Sequence, residues 1–327
     1  MNVLVTGGAG YVGSHALREL RRAGHDPTVF DDLSEGHPQA VGDVPLIRGD
    51  LSDEGRILDA LAESGAQAVM HFAASAYVGE SVEDPEKYYD NNVVNSLKLL
   101  RAMRTAGVDR LVFSSSCTVY GEPETAPITE DFPIGAVNPY GHTKQTVETI
   151  LADYAPAYGL KYASLRYFNA AGAAPDGSIG EDHDPETHLI PLVIFAALGR
   201  RDHITIFGTD YPTPDGTCIR DYVHVMDLAS AHVLAMEALD QRGVMIYNLS
   251  TGRGHSVREV IDTVRRVSGR EFEVVEGERR PGDPPELVGS PAKIRGELGW
   301  RPKYPELETI VEHAWKWHGT HPDGYED

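Results

Sequence analysis

The sequence predicts an α/β protein with a Rossmann-type, doubly wound parallel sheet followed by a smaller C-terminal α/β domain. Three observations carry this expectation. A short apolar run, Val3-Leu4-Val5, leads directly into glycines at positions 7, 8, 10 and 13. Through the first half of the chain, β-branched runs then alternate with helical patterns, which implies a parallel sheet covered on both faces. After about Gly172 the texture changes: residues 175–186 are polar and rich in Asp, Gly and Pro, and the elements beyond are less regular. The expected division is therefore 1–172 for the first domain and 173–327 for the second, with some later segments returning to pack on the first.

In chain order, the apolar runs predict strands at 3–5, 27–30, 44–47, 68–71, 110–113 and 162–165. Helical patterns separate them, through 14–17, over 57–64, over 88–106 and over 140–158. A further Pro- and Gly-rich stretch lies at 280–285, and no internal repeat stands out.

A chain of 327 residues with 41% hydrophobic and 24% charged residues suits a globular protein of one or two domains. No stretch approaches the roughly 20 apolar residues of a membrane-spanning helix. The first residues carry no basic flank and no small-residue cleavage site, so the cytoplasm is the expected location. Cys117 and Cys218 are too few for a disulfide framework or a thiolate metal site. The net charge of -21 argues against a nucleic-acid partner. Only seven of the 29 basic residues are lysines. That pattern fits either a saline cytoplasm or a coding bias toward Arg, and the second reading is preferred; stability indifferent to molar KCl removes the first.

Thr6-Gly7-Gly8-Ala9-Gly10-Tyr11-Val12-Gly13 follows a strand and opens a helix. Gly7 permits a tight turn, Gly10 lets the backbone approach a pyrophosphate, and Gly13 lets helix and strand pack closely. The helix N-terminus around Tyr11 and Val12 supplies amide donors. Asp31 ends the second strand eighteen residues beyond Gly13, where a carboxylate accepts hydrogen bonds from ribose hydroxyls. With Asp32 beside it, a 2′-phosphate is repelled, so the expected cofactor is NAD and not NADP.

Asn138-Pro139-Tyr140 reads as a helix start, with Asn as N-cap and Pro at the first helical position. Tyr140 and Lys144 then share one face, four residues apart. A nearby ammonium and a positive nicotinamide favour phenolate, so Tyr140 is the expected base toward a sugar hydroxyl. Ser116, at the end of the fifth strand, is expected to hydrogen-bond the same hydroxyl, with Ser114 before it on the cofactor side. A Tyr-x-x-x-Lys pair alone is common in amphipathic helices; the order of glycine turn, acidic strand end and serine strand ahead of it gives it weight. A Cys117 nucleophile is disfavoured because no base partner is recognisable.

These segments, together with His71-Phe72-Ala73-Ala74, Val78-Gly79-Glu80-Ser81-Val82, Tyr88-Tyr89-Asp90-Asn91-Asn92, Arg166-Tyr167-Phe168-Asn169, His188-Leu189-Ile190-Pro191, Arg220-Asp221-Tyr222 and Arg279-Arg280-Pro281-Gly282-Asp283, resemble the UDP-glucose 4-epimerases over essentially the whole chain. The resemblance implies tightly held NAD regenerated in each cycle. It implies oxidation of a UDP-hexose at C4, rotation of the 4-keto sugar and re-reduction on the opposite face. On the substrate side it implies Ser116, Phe168, Asn169, His188, Leu189, Phe207, Arg220, Tyr222, Arg280, Asp283 and Leu287, the two arginines suiting the diphosphate. On the cofactor side it adds Asp50, Leu51, Phe72, Ala73, Asn91 and Tyr167. It also implies a homodimer formed through a helical face of the first domain.

Two departures from the family pattern stand out. Ala76, followed by Tyr77, replaces a lysine near the nicotinamide, which predicts weaker retention of NAD. Leu287 stands where members restricted to glucose and galactose often carry tyrosine, which predicts room for a 2-acetamido group and hence turnover of UDP-N-acetylglucosamine. Residues 181–188 gather Glu, Asp and His in a Pro-containing loop; because the family chemistry needs no metal, a structured loop beside the sugar pocket is expected. Among rival readings, a nucleotide-sugar 4,6-dehydratase places Asp-Glu where this chain has Cys117-Thr118. UDP-pentose epimerases share much of the pattern. A non-catalytic NAD-sensing module typically lacks the tyrosine or lysine, and a Tyr140→Phe variant with full biological activity is the observation that favours it.

Overall fold

The computed structural model of the chain describes residues 1–280 and 282–325; Pro281, part of one segment quoted above, lies outside them. In chain order the first strands are β1 (Asn2–Thr6), β2 (Asp26–Asp31), β3 (Leu46–Arg48), β4 (Ala68–His71), β5 (Arg110–Ser116) and β6 (Lys161–Tyr167). Shorter strands follow: β7 (Asn169–Ala171), β8 (His203–Phe207), β9 (Ile219–Arg220) and β10 (Tyr222–His224). The last are β11 (Val244–Leu249), β12 (His255–Ser256), β13 (Glu273–Gly277) and β14 (Glu286–Leu287). Seven of these form one parallel sheet in the order β11-β6-β5-β4-β1-β2-β3. From β1 the chain winds out to β2 and β3, then returns past β1 to β4. Ligands of such sheets collect at that reversal, beyond the carboxyl ends of the strands.

The sequence accounts for most of these elements. β1 and β4 are buried on both faces, which is why they read as unbroken apolar runs. The helix Tyr11–Arg22 turns Leu17 and Leu20 inward. The helix Glu54–Ser64 begins where the Asp53 carboxylate accepts the Arg56 amide at 3.0 Å and ends at the left-handed Gly65. Each fully buried Leu or Val contributes about 1.5–3 kcal/mol, so these inward stripes carry the packing.

Three differences from the sequence expectation have clear causes. β3 starts two residues late, because Pro45 has no N–H for the ladder and contributes only its carbonyl, to the Val29 amide at 2.8 Å. The expected 88–106 helix is broken: Pro85–Tyr88 runs into a π-helical turn at Tyr89–Val94 before Asn95–Ala106. There the Asn92 side chain is drawn away to Ser75 and to Thr143 Oγ1, and π-turns of this kind accompany functional sites. Finally, β11 comes from the irregular second half yet pairs with β6 from Val244↔Tyr162 to Leu249↔Tyr167.

Beyond β6, the helices Leu189–Ala197, Val257–Ser268 and Leu307–Thr320 enclose a second core around Ile190, Ile194, Val260, Val264 and Ile310. β13 pairs with β8, and β12, β9 and β14 form a small sheet. No helix among the described residues is long and apolar enough to cross a membrane.

Candidate active site

The glycine turn has the shape a pyrophosphate needs. Gly7 has φ +71°, and a Cβ there would lie 2.4 Å from the Ala73 nitrogen. A Cβ at Gly13 would lie 2.2 Å from the Gly7 carbonyl oxygen. Both are therefore demanded by protein packing. At Gly10 a Cβ would meet nothing among the described residues closer than 3.5 Å, so packing alone does not require glycine there. Gly10 also begins the twelve-residue helix without any side-chain cap, leaving the first-turn amides at Tyr11, Val12 and Gly13 for an anion.

Asp31, buried at the end of β2, accepts the Ala9 amide at 3.0 Å and the Leu33 amide at 2.9 Å. Burial raises its pKa, and those two amides oppose the rise. Asp32 is exposed and holds Ser34. Asp50 is exposed and accepts the Ser52 amide at 2.7 Å, whereas the Leu51 side chain is buried in the core beside Phe30 and Ile57. Phe72 and Ala73 donate their amides to the Thr6 carbonyl, which locks the end of β4 to the glycine turn. Asn91 sits on the π-turn and donates to Ser75 Oγ at 3.0 Å. This cradle fits NAD, with its glycines, free helix amides and acidic rim.

The candidate catalytic set is built around the end of β5. The Asn138 side chain accepts the Gly141 amide at 2.8 Å and starts the helix Pro139–Tyr158. A Cβ at Gly141 would stand 2.9 Å from the Thr118 carbonyl oxygen, so glycine allows this helix to press against the end of β5. Lys144 Nζ donates to the Ser114 carbonyl at 2.8 Å, and Ser114 Oγ hydrogen-bonds Tyr167 OH at 2.6 Å. Ser116 Oγ accepts Thr118 Oγ1–H at 3.0 Å and faces Tyr140 closely enough to hydrogen-bond it.

Burial dominates the electrostatics of this set. Burial pushes the Tyr140 phenol up, Tyr167 adds to the rise, and the Ser116 hydrogen bond opposes it. Lys144 is itself held down to about 7 by burial, against a smaller rise from Glu148. Among the chain's own groups the Ser116 hydrogen bond lowers Tyr140, and burial outweighs it. Burial also pushes the Cys117 thiol up to about 12, which disqualifies it as a nucleophile.

Behind this set lies a group not foreseen from sequence. Glu148 and Arg166 form a buried pair, with Arg166 Nε 2.9 Å from Glu148 Oε1. Ser115 Oγ donates to the same Oε1 at 2.6 Å, and Arg166 Nη1 donates to Tyr120 OH at 2.9 Å. Glu148 follows Lys144 by four residues, and that helical spacing was the available signal.

On the substrate side, Asn169 Nδ2 donates to the Asp221 carbonyl at 3.0 Å, and buried Phe168 packs in one cluster with Leu287. Leu287 lies opposite Arg220 in the pairing of β14 with β9. Arg220 Nη2 donates to Asp283 Oδ1 at 3.0 Å, and Arg280 lies 3.4 Å from the other carboxylate oxygen. The Arg280 guanidinium also covers the exposed Phe207 ring at 4.7 Å. Arg280 and Asp283, with Glu122, Tyr211 and Arg279, line an open cleft of about 630 Å³. Tyr222 is instead buried in the second core, with Ile190 and Val193. Leu189 opens its helix directly after His188, whose ring joins Glu181, His183 and Glu186 in a compact cluster. Ala76 is exposed, and the neighbouring Tyr77 donates to Glu35 at 3.4 Å with its ring nearly perpendicular to that of His183.

A Rossmann sheet with a glycine turn at its reversal point and a Tyr-Lys-Ser set at the end of β5, two strands from β1, defines a dinucleotide-dependent enzyme. The chain belongs to the NAD dependent epimerase/dehydratase family, whose model matches residues 3–250. It is 50% identical to UDP-glucose 4-epimerase of Halalkalibacterium halodurans over 99% of this chain and 98% of that protein. UDP-glucose 4-epimerase of Lactobacillus helveticus is 49% identical over the full length of both. Among solved structures, that of the Brucella ovis UDP-glucose 4-epimerase in complex with NAD superimposes with a TM-score of 0.93, 51% identity, and 95% and 96% coverage of the two chains. The Bifidobacterium longum enzyme in complex with NAD+ and UDP gives a TM-score of 0.95 at 38% identity, covering 99% of this chain and all of that one.

Proposed function

We propose that the chain interconverts UDP-galactose and UDP-glucose by oxidation and re-reduction at C4. The observation that carries this reading is the convergence of Tyr140, Ser116 and Lys144 at the end of β5, in one fold with the glycine turn and with an open cleft lined by Arg280 and Asp283, the partner of Arg220. Tyr140 Oη takes the proton of the C4 hydroxyl, and Ser116 Oγ orients that hydroxyl. When bound, NAD supplies reversible hydride acceptance at C4. Tyr140 later returns the proton to the opposite epimer. Lys144 orients the site through the Ser114 carbonyl, and the Glu148–Arg166 pair holds its helix against β5 and β6. Arg220 and Arg280 hold the diphosphate by charge-assisted hydrogen bonds, while the sugar is left free to turn over. Burial of Tyr140 and Lys144 excludes water from the oxidised intermediate.

The same reading divides the molecule into an NAD-binding unit, residues 1–172 with the returning strand β11, and a UDP-sugar unit made of the rest. It assigns the cofactor contacts to Tyr11, Val12, Asp31, Phe72, Asn91 and Tyr167, and the sugar contacts to Phe168, Asn169, Leu189, Phe207 and Leu287. It also includes a cytoplasmic homodimer, for which the exposed Tyr89 and Val94 on the helical face of the first unit give support; light scattering after gel filtration tests the stoichiometry.

The reaction is tested by NMR of UDP-galactose with purified protein and no added NAD. Growth of the UDP-glucose anomeric signal supports the reading and means that cofactor travels with the protein. Conversion only after NAD is added places the weakness at Ala76. Silence in both, with turnover of UDP-N-acetylhexosamines or UDP-pentoses, replaces the hexose assignment.

A further inference from the structure

Residues 181–188 lie between the Tyr11 ring, at the start of the helix Tyr11–Arg22, and the helix Leu189–Ala197. Sequence alone suggested only a structured loop there. In the fold, one donor atom from each of Glu181, His183, Glu186 and His188 lies within 4.8 Å of the other three. His188 Nδ1 is 2.9 Å from both Glu181 Oε1 and Glu186 Oε1. His183 Nδ1 is 3.4 Å from Glu181 Oε1 and 3.6 Å from Glu186 Oε2. Four tetrahedral ligands about 2.1 Å from a zinc ion stand about 3.4 Å from one another, which matches this spacing.

A cluster held only by hydrogen bonds between imidazolium and carboxylate leaves different marks. Here Glu181 Oε1, His183 Nδ1 and Glu186 Oε2 are buried, and among the described residues none of the three has a hydrogen-bond partner. The Glu181 side chain is only 3% exposed, so bulk water does not reach it, and a buried polar atom of this kind calls for a bound partner. Outer contacts aim the donors. Glu186 Oε1 accepts the amides of Thr187 at 2.6 Å and His188 at 2.7 Å, which leaves Oε2 for the centre of the cluster. The Glu181 carbonyl accepts Trp317 Nε1–H at 3.0 Å, anchoring that residue to the last helix. Metal ligands are typically oriented by such outer hydrogen bonds.

We propose that Glu181, His183, Glu186 and His188 form a structural zinc site. Two imidazoles with two carboxylates make a charge-balanced shell for a divalent ion, and nitrogen donors at tetrahedral spacing favour zinc over magnesium or calcium. Four protein ligands leave no open position, so the ion holds structure and does not activate water. The His183 ring stands edge-on to Tyr11 at 6.2 Å and to Tyr77 at 6.0 Å, and His188 immediately precedes Leu189. The ion therefore ties the rim of the cofactor cradle to the helix on the substrate side. His188 becomes a metal ligand by this assignment and not a sugar contact.

The test is metal content and metal-dependent stability of the full chain, expressed with zinc in the medium and without a histidine tag. About one zinc per chain is expected by plasma mass spectrometry after gel filtration, lost in a Glu181→Gln/His183→Asn variant. Because that variant could fail to fold, wild-type protein is also stripped with a chelator. Adding zinc at about 100-fold over its dissociation constant is then expected to raise Tm by several degrees. Cobalt in its place is expected to give the absorption of a four-coordinate site. Substoichiometric zinc with no thermal shift on zinc addition overturns the proposal, and so does zinc retained equally by wild type and a folded variant.

Discussion

On the proposed cofactor side, nearly every assigned group sits at the end of a long strand or in the first turn of a helix: the glycines after β1, Asp31 on β2, Phe72 and Ala73 after β4, Ser114 and Ser116 on β5. The substrate side is assembled from β7, β9, β10 and β14, each two or three residues long, and from the loops around Phe207 and Arg280. Tyr140 and Lys144 are 8% and 3% exposed, whereas Phe207 is 41% exposed. The contrast matches two demands. Moving a proton and a hydride needs groups held in one place, whereas inverting a sugar needs a nucleotide gripped at its phosphates and a hexose with room to turn.

Acid should separate the two regions most strongly. His15, His71, His224 and His232 are buried in or against the Rossmann half, and burial lowers each of them, to about 4, about 3, well below the ordinary value and about 4. Because these folded values lie below 6.5, the unfolded chain takes up protons first as the pH falls. Stability is full above pH 6.5 and is lost toward pH 4, by up to about 5 kcal/mol per pH unit if all four act. In the second half buried His318 is lowered likewise, to about 4, so the Rossmann half carries most but not all of the loss. Thermal melts across that range, with hydrogen exchange of the two halves, are expected to show that half opening first. A pH-independent Tm contradicts this.

Next in size, Tyr140→Phe is expected to lower kcat by ~10²–10⁴-fold with little change in Tm. Retained turnover breaks the assignment of the base. Gly13→Ala forces a 2.2 Å contact with the Gly7 carbonyl, so Tm should drop by several degrees. Gly10→Ala should leave the Tm of NAD-free protein unchanged and weaken NAD binding at least tenfold; calorimetric titration distinguishes them.

Arg220→Ala should raise KM by ~10- to 100-fold, the value of a lost charge-assisted contact, with a smaller effect on kcat. Leu287→Tyr has the smallest expected effect, a few-fold loss of UDP-N-acetylglucosamine turnover relative to UDP-galactose, read from paired initial rates. Equal losses on both substrates place Leu287 in packing with Phe168 instead.

This contrast also governs how far the sequence was legible. Glycine spacing, an acidic strand end and a Tyr-x-x-x-Lys on a capped helix are local signals, and each falls at a strand end or in the first turns of a helix. β11 was assigned only to a vaguely returning segment, since nothing local shows that Val244 pairs with Tyr162 eighty-two residues earlier. The π-turn at Tyr89–Val94 escaped because it depends on Asn92 reaching Ser75 and Thr143. Glu148 was visible as a position but not as the partner of Arg166 on β6. The irregular spacing of residues 181–188 hid the convergence of their donors, which loop geometry and not helical period creates. The Tyr140 pKa depended on burial, which no spacing reports.

The central claim is that hydrogen leaves C4 and returns to the same carbon without passing through solvent. UDP-galactose deuterated at C4 of the sugar, incubated in ordinary water and followed by NMR and mass spectrometry, tests it directly. The account predicts UDP-glucose that keeps the deuterium at C4, with none appearing when unlabelled substrate is converted in heavy water. Loss of label to solvent, or a product lighter by one water, contradicts it.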